Sequence, residues 1–357
     1  MRSLRTLCLI ASRNLGDITI VSSNFRRLAA QRVADRYVVW TRPGMAFLFD
    51  GIPDCIVVES NFPVGTNKGF NRKTVGRFFR AAWRIRRLRP TWTVDYVGDF
   101  RERFFARLVG SRSRLHIGWG AGHAHREIIR NPFGDGSPTY VVPAEVPNVY
   151  AGFAAFTDFL VDALGDGHAL ASAEPAAQAA RTLRVGLHPF ASQDCRKWPA
   201  ASWTALATRL MSAGVELAAF GAIEERAALE AMFSGFGESV RIVTRSLADF
   251  SEEVSRLDVM VGLDSFSIHI AERAGVHSVL INGANDPTLF APPHAAVLKS
   301  SGGCVAWPCY NRPKCIASSA EYVCIRSIDV DRVYAAISAQ LEQAGGRPLA
   351  RLERNTT

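Results

Sequence analysis

The chain has no apolar run approaching the roughly 20 residues that a membrane-spanning helix needs. Its N-terminus, Met1–Ser12, sets Arg2 and Arg5 before a short apolar run, Leu7–Ala11, with Arg13, Asn14 and Asp17 close behind. That run is too short for an export signal and reads as the buried first strand of a cytoplasmic protein. No G-x-G-x-x-G follows a strand: Gly118, Gly120 and Gly122 have the wrong spacing, and His123 occupies the sixth position. No G-x-x-x-x-G-K-[ST] occurs either, so the dehydrogenase and nucleoside triphosphatase readings lose their phosphate cradle. No nucleic-acid module is recognisable. None of the seven cysteines stands in the C-x2-C pair that marks zinc sites. Acid is missing from one stretch, Lys68–Arg89, which holds no Asp or Glu.

That stretch carries nine cations (Lys68, Arg72, Lys73, Arg77, Arg80, Arg84, Arg86, Arg87 and Arg89), as many as the net charge of the whole chain. The remainder is therefore balanced, and the basic bias is a patch. Phe78, Phe79, Trp83, Ile85 and Leu88 are interleaved with the cations, so the stretch reads as an amphipathic basic helix. It is either a solvated helix face or an attractor for something anionic: a membrane surface, an acidic or phosphorylated glycan or, least favoured, nucleic acid.

A length of 357 residues suits two domains. Apolar runs at Thr6–Ser12, Tyr37–Thr41, Cys55–Glu59, Thr93–Val97 and Leu115–Gly118 alternate with helical stretches at Asp17–Ala34, Lys73–Leu88 and Phe100–Val109. The second half repeats the pattern: strands at Arg184–Pro189, Glu216–Gly221, Val240–Thr244, Val259–Leu263 and Ser278–Asn282, with helices at Pro199–Ala213, Glu224–Phe233, Leu247–Arg256 and Ser265–Ala274. Such alternation predicts parallel sheets covered by helices. The expected division is an N-terminal domain over 1–165, a small-residue linker over 166–183, a C-terminal domain with its terminal helix over 184–345, and a polar tail over 346–357.

Four places can carry chemistry. Leu257–Gly275 runs from a buried strand through Asp264-Ser265 into a helix whose first turn holds Ser265 and Ser267; free amides and the helix dipole there suit a pyrophosphate. Asp264 suits sugar hydroxyls, or caps the helix. Leu280–Pro293 breaks from a strand into a polar loop that can wall a ligand. His188–Ser192 is followed by Arg196 and Lys197, cations able to stabilise a departing phosphate without a metal. Ser12–Asp17 places Asp17 at a helix start, as general base or as N-cap, with Gly16 allowing a tight turn.

Together these segments resemble glycosyltransferase family 9, the bacterial lipopolysaccharide heptosyltransferases, in order along both halves. Leu15-Gly16-Asp17 is similar to the family's L-G-D turn, Lys197-Trp198-Pro199 to its Lys-x-Trp-Pro element, and Gly221 with Glu224 and Glu225 to its ribose-binding element. Asp264–Glu272 matches D-[ST]-G-x-x-H-x-A-A. The resemblance implies an α/β protein of GT-B fold, two Rossmann-like doubly wound domains facing a cleft. It implies ADP-heptose as donor, an acidic glycan such as lipopolysaccharide core as acceptor, inversion at the anomeric carbon, and no catalytic metal or other required cofactor. By position, Asp17 deprotonates the acceptor and Lys197 neutralises the departing ADP. Ser192, Glu224, Glu225, Asp264, Ser265, Phe266, Ser267 and His269 bind the donor, His269 either directly or as a buried support. Phe266 stands where the family has Gly, and Glu272 where Ala is usual. The basic stretch falls in the acceptor-side half, which suits an acidic or membrane-borne acceptor and a place at the inner membrane face.

Cys304, Cys309, Cys315 and Cys324 have a counterpart in the family's Cys-rich loop. They are read as free thiols, as a structural zinc or iron site, or as disulfides. Two alternatives therefore stay open: a protein heptosyltransferase of autotransporter type with a metal-bound Cys loop, and a catalytically silent nucleotide-sugar-binding protein.

Overall fold

Val-, Ile- and Leu-rich runs bounded by polar turns make twelve strands among the described residues. The computed structural model describes residues 4–63, 72–129, 138–165, 182–300, 304, 306–310, 312–345 and 349. The chain forms two compact units, Met1–Glu174 and Pro175–Thr357. The expected linker lies almost wholly outside the described residues, as do Lys68 and, apart from Leu349, the tail.

The first unit contains β1 (Thr6–Ala11), β2 (Arg36–Thr41), β3 (Cys55–Glu59), β4 (Trp92–Asp95), β5 (Ser113–Trp119) and β6 (Tyr140–Val142). They form one sheet in the order β3-β2-β1-β4-β5-β6, every pair parallel. Its helices are α1 (Leu15–Ala30), α2 (Arg72–Arg87), α3 (Phe100–Val109), α4 (Ala124–Ile129) and α5 (Val149–Leu164). α2 buries Thr74, Phe78, Ala81, Ala82 and Ile85, one stripe at helical spacing, and leaves its arginines outward. Phe78 packs on Trp40, Phe62 and Phe105 with ring centroids 4.9 to 6.0 Å apart. Truncating one of these fully buried rings costs about 3–5 kcal/mol.

The second unit contains β7 (Arg184–His188), β8 (Glu216–Phe220), β9 (Val240–Val243), β10 (Val259–Leu263), β11 (His277–Asn282) and β12 (Ala295–Lys299), parallel in the order β12-β11-β10-β7-β8-β9. Its helices are α6 (Ala200–Ser212), α7 (Arg226–Met232), α8 (Leu247–Val254), α9 (Phe266–Arg273), α10 (Pro287–Phe290), α11 (Val323–Arg326) and α12 (Val330–Gln343). α12 starts at Asp329, whose side chain accepts from the Arg332 amide, and lays Val333, Ile337 and Leu341 into the core.

Both sheets therefore run outward in two directions from a central pair, β1/β4 and β7/β10. Ligands of open α/β sheets bind beyond the carboxyl ends of such a pair, where strand order reverses. The alternation predicted the doubly wound class; β6, β12, α4, α5, α10 and α11 are additions to the expected elements, α10 lying within the stretch read as a loop. No described helix is long and apolar enough to cross a membrane.

Candidate active site

At the β7/β10 switch point, β10 delivers Asp264 and the chain turns into α9. The N-cap of α9 is Ser265, so Asp264 is not a capping residue. Ser265 makes no side-chain cap bond; its hydroxyl meets Ser267 Oγ at 3.1 Å and His188 Nδ1 at 3.4 Å. The first-turn amides of α9 therefore keep their capacity for an anion. Strand and helix start pack closely: a Cβ at Gly262 would lie 2.9 Å from Ser267 Oγ. His188 closes β7, and burial pushes its pKa down to about 4, so it is neutral here at physiological pH.

Asp264 is held by two partners. Asn285 Nδ2 donates to its Oδ2, and Arg196 Nη1 lies 3.9 Å from the same oxygen. Asn285 Oδ1, buried, makes no hydrogen bond within the protein. The loop carrying Asn285 is tied from behind by the Cys-rich segment: Cys309 and Tyr310 amides donate to Ala284 O, and Trp307 Nε1 donates to Gly283 O at 3.0 Å. The sequence did not single out Asn285; of its two candidate cations, Arg196 and Lys197, the family resemblance put Lys197 in the site, and the structure brings Arg196 to Asp264. Lys197 is exposed and pairs with Asp194 at 2.8 Å. The two neighbours diverge because Asp194–Arg196 form a 3-10 turn that sends successive side chains apart.

The other expected donor residues are spread along the same sheet end. Ser192 is exposed on the loop after β7, and Glu224 is exposed on the turn after β8. Glu225 folds back, accepting the Ala222 amide at 2.8 Å. Phe266 is half-buried on Phe250, with centroids 5.8 Å apart, and Phe250 packs in turn on Phe220 and His188. His269 is buried in α9.

The β1/β4 switch point in the first unit is built differently. The N-cap of α1 is Asn14, which puts Asp17 in the first helical turn and removes the capping reading. Gly16 lies inside that helix, not in a turn before it. Asp17 is half-buried; among the described residues its carboxylate makes no hydrogen bond, and Arg42 is its electrostatic neighbour. Arg42 Nε donates to Ser12 O at 2.6 Å. Behind it, Ser12 Oγ donates to Glu102 Oε1 at 2.5 Å. Burial, reinforced by Asp95, raises the Glu102 pKa well above the carboxylate range. Asp99 caps α3 and takes Arg101 Nη2 at 2.6 Å and Arg13 Nη1 at 3.4 Å. Burial alone would raise its pKa; the Arg101 hydrogen bonds and the Arg13 charge outweigh burial and lower it.

All seven cysteines are free thiols, so the disulfide reading fails. Cys195, which looked isolated in the sequence, lies electrostatically close to Cys309, Cys315 and Cys324. Burial pushes the Cys324 thiol up to about 11. A zinc or iron site needs several ligands converging at once. Among the described residues no three His, Cys, Asp or Glu do so, and no step below runs through a metal.

Residues 149–316 match the sequence model of glycosyltransferase family 9 (heptosyltransferase). No curated protein matches the chain in a sequence search. Among solved structures, it is similar to E. coli ADP-heptose LPS heptosyltransferase II, 15% identical with a TM-score of 0.64 over 96% of this chain and 100% of that one. It is similar to E. coli heptosyltransferase WaaC with ADP, at 13%, 0.67, 94% and 99% respectively. It also matches the iron-containing dodecameric heptosyltransferase TibC of E. coli, in complex with ADP-D-β-D-heptose, at 13%, 0.55, 97% and 79%. The structural likeness establishes the GT-B fold, and the family match makes the chain a glycosyltransferase, as the sequence motifs implied.

Proposed function

We propose, from a chain whose residues 149–316 carry the family 9 match, that it transfers a heptose with inversion from ADP-heptose to an acidic glycan such as lipopolysaccharide core. One observation carries the donor side. Asp264 and Ser265 stand at a topological switch point, beside an uncapped helix start, with the carboxylate held by Asn285 and Arg196. A fixed carboxylate grips sugar hydroxyls, and helix amides hold a diphosphate.

In this reading an acceptor hydroxyl attacks the anomeric carbon from the face opposite the nucleotide, and Asp17 takes its proton. The bond from the anomeric carbon to the diphosphate oxygen breaks, and ADP departs with the electron pair. The α9 amides and Arg196 stabilise that charge; Lys197 joins them, since an exposed pair such as Lys197–Asp194 is worth only about 0–1 kcal/mol and exchanges easily. Phe266, in place of a glycine, narrows the helix start where a phosphate approaches.

The acceptor side is the first unit. There α2 shows an outer face of arginines with Phe79 52% and Trp83 58% exposed, and Arg87 sits over the Trp83 ring at 4.6 Å. We read that face as resting on the anionic membrane surface that presents the acceptor.

Thermal unfolding with a panel of nucleotide sugars tests the donor. ADP-heptose at a hundred times its Kd should stabilise the protein by about 2.7 kcal/mol, and Asp264→Ala should remove most of that. Protection by UDP- or GDP-sugars alone overturns the donor assignment.

A further inference from the structure

The layer between a sheet and its covering helix is normally apolar, and polar residues at such positions are errors unless they serve a function. Between α3 and the β4–β5 pair the layer is polar. Thr93 and Asp95 alternate on β4, and the parallel register sets Thr93 beside Arg114 and Asp95 beside His116 on β5. Period-2 alternation puts all four on one face of the sheet. From α3, Arg103 and Arg107 come down on that face one turn apart, with the small Ala106 between them. These residues line a cavity of about 210 Å³.

Three polar atoms there are buried and make no hydrogen bond within the protein: Thr93 Oγ1, Arg103 Nε and His116 Nε2. Thr93 is 1% exposed. A buried polar group left unpaired costs about 1–3 kcal/mol, more if charged, so three around one cavity need a common partner. Charge says which kind. Three guanidinium groups face a single carboxylate, Asp95, whose oxygens are engaged by the Val97 and Gly98 amides at 2.7 to 3.2 Å. Burial and the surrounding arginines lower the His116 pKa, against a ring hydrogen bond to the Arg114 carbonyl that raises it. Water could satisfy the hydrogen bonds, but the positive charge gathered at the cavity favours an anion over water.

We propose that this cavity is an oxyanion site for a tetrahedral phosphate or sulfate group, separate from the sugar-transfer residues. Ligand pockets for whole small molecules run from about 300 Å³ upward, and a water occupies about 30 Å³, so the space suits one oxyanion with a few waters and not a nucleotide. The group is either a free ion or the phosphate of a larger molecule whose remainder lies outside.

Isothermal titration of the full chain with inorganic phosphate at constant ionic strength tests this. Saturable 1:1 binding is expected. The double variant Arg107→Ala/Arg114→Ala removes two exposed cations, leaves the core intact and should weaken binding at least about tenfold. Thr93→Val should weaken it several-fold while the ligand-free protein melts no lower than the parent, because an unpaired hydroxyl has gone. Glucose 6-phosphate binding as tightly as phosphate identifies an ester as the source, and its exclusion identifies the free ion. No saturable heat overturns the proposal, as does phosphate binding that both variants leave unchanged, since that places the ion elsewhere.

Discussion

The two units share one strand order and differ in what stands at its reversal. Beyond β1 and β4 lies a dense ionic set: Arg13, Arg42 and Arg101 against Asp99 and Asp17, with the buried acid Glu102 behind Ser12. Beyond β7 and β10 lie hydroxyls, aromatic rings and a neutral histidine, with one carboxylate, Asp264, held by an amide and a guanidinium. Both acids adjoin a helix start, yet Asn14 and Ser265 take the capping positions. Shared architecture thus says where each site lies, and only local chemistry says what each can do. A carboxylate free of hydrogen bonds is suited to take a proton; one clamped on both sides is suited to hold a ligand still.

The hardest test of that division is Asp17→Ala. A lost general base typically costs about 10²- to 10⁴-fold in turnover. On the proposal that Asp17 serves the acceptor, kcat should fall by that factor while ADP-heptose protection against unfolding stays at the parent value. If measurable turnover survives unchanged, Asp17 is not the base; if protection falls too, the assignment of proton transfer to one unit and donor binding to the other collapses.

A smaller effect is expected at the α2 face. Phe79→Ser/Trp83→Ser removes the exposed rings and leaves every arginine, so the buried stripe and the fold are kept. Sedimentation with vesicles containing anionic lipid should show partitioning about tenfold or more weaker than the parent's, and the parent should bind zwitterionic vesicles poorly. Equal partitioning of parent and variant would leave the binding to the arginines alone, and a parent that stays off anionic vesicles would leave them as a merely solvated face.

The sheets were legible because a parallel strand buried on both faces is a continuous apolar run, and ten of the twelve strands announce themselves so. β6 is three residues long, and β12 is a half-exposed edge strand, so neither gives a run. α5 has a readable stripe in Val149, Phe153, Phe156 and Leu160, which sequence analysis passed over. In the site, Asp264 and Ser265 could be found because they follow directly on β10. Arg196 was legible as a candidate cation, but its approach to Asp264, like that of Asn285, depends on how a 3-10 turn and a loop aim them. The Ser12–Glu102 bond joins residues 90 apart, and Cys195 meets the other thiols only in three dimensions.

The mildest test concerns the buried groups behind each site, which titrate in opposite senses. His188 is held neutral with its pKa down at about 4, so its contribution is complete above the ordinary histidine pKa and is lost as pH falls below it. Glu102 is raised, and Asp95 is raised to about 6. A raised carboxyl contributes stability that is complete below its unfolded pKa and is lost as pH rises through the folded one. Asp99, being lowered, acts only at more acid pH and drops out between pH 5 and pH 7. Glu102→Gln keeps an acceptor for Ser12 and cannot ionise. In urea unfolding at pH 5, 6 and 7 the variant should gain on the parent as pH rises, by at most about 1.4 kcal/mol per pH unit. His188 titrates in both proteins and cancels to first order, whereas Asp95 acts on Glu102, so the difference reads the pair of acids together. Parallel curves would mean that Glu102 is already ionised in the folded chain, and the first unit's site would then rest on a charged acid where the second rests on a neutral base.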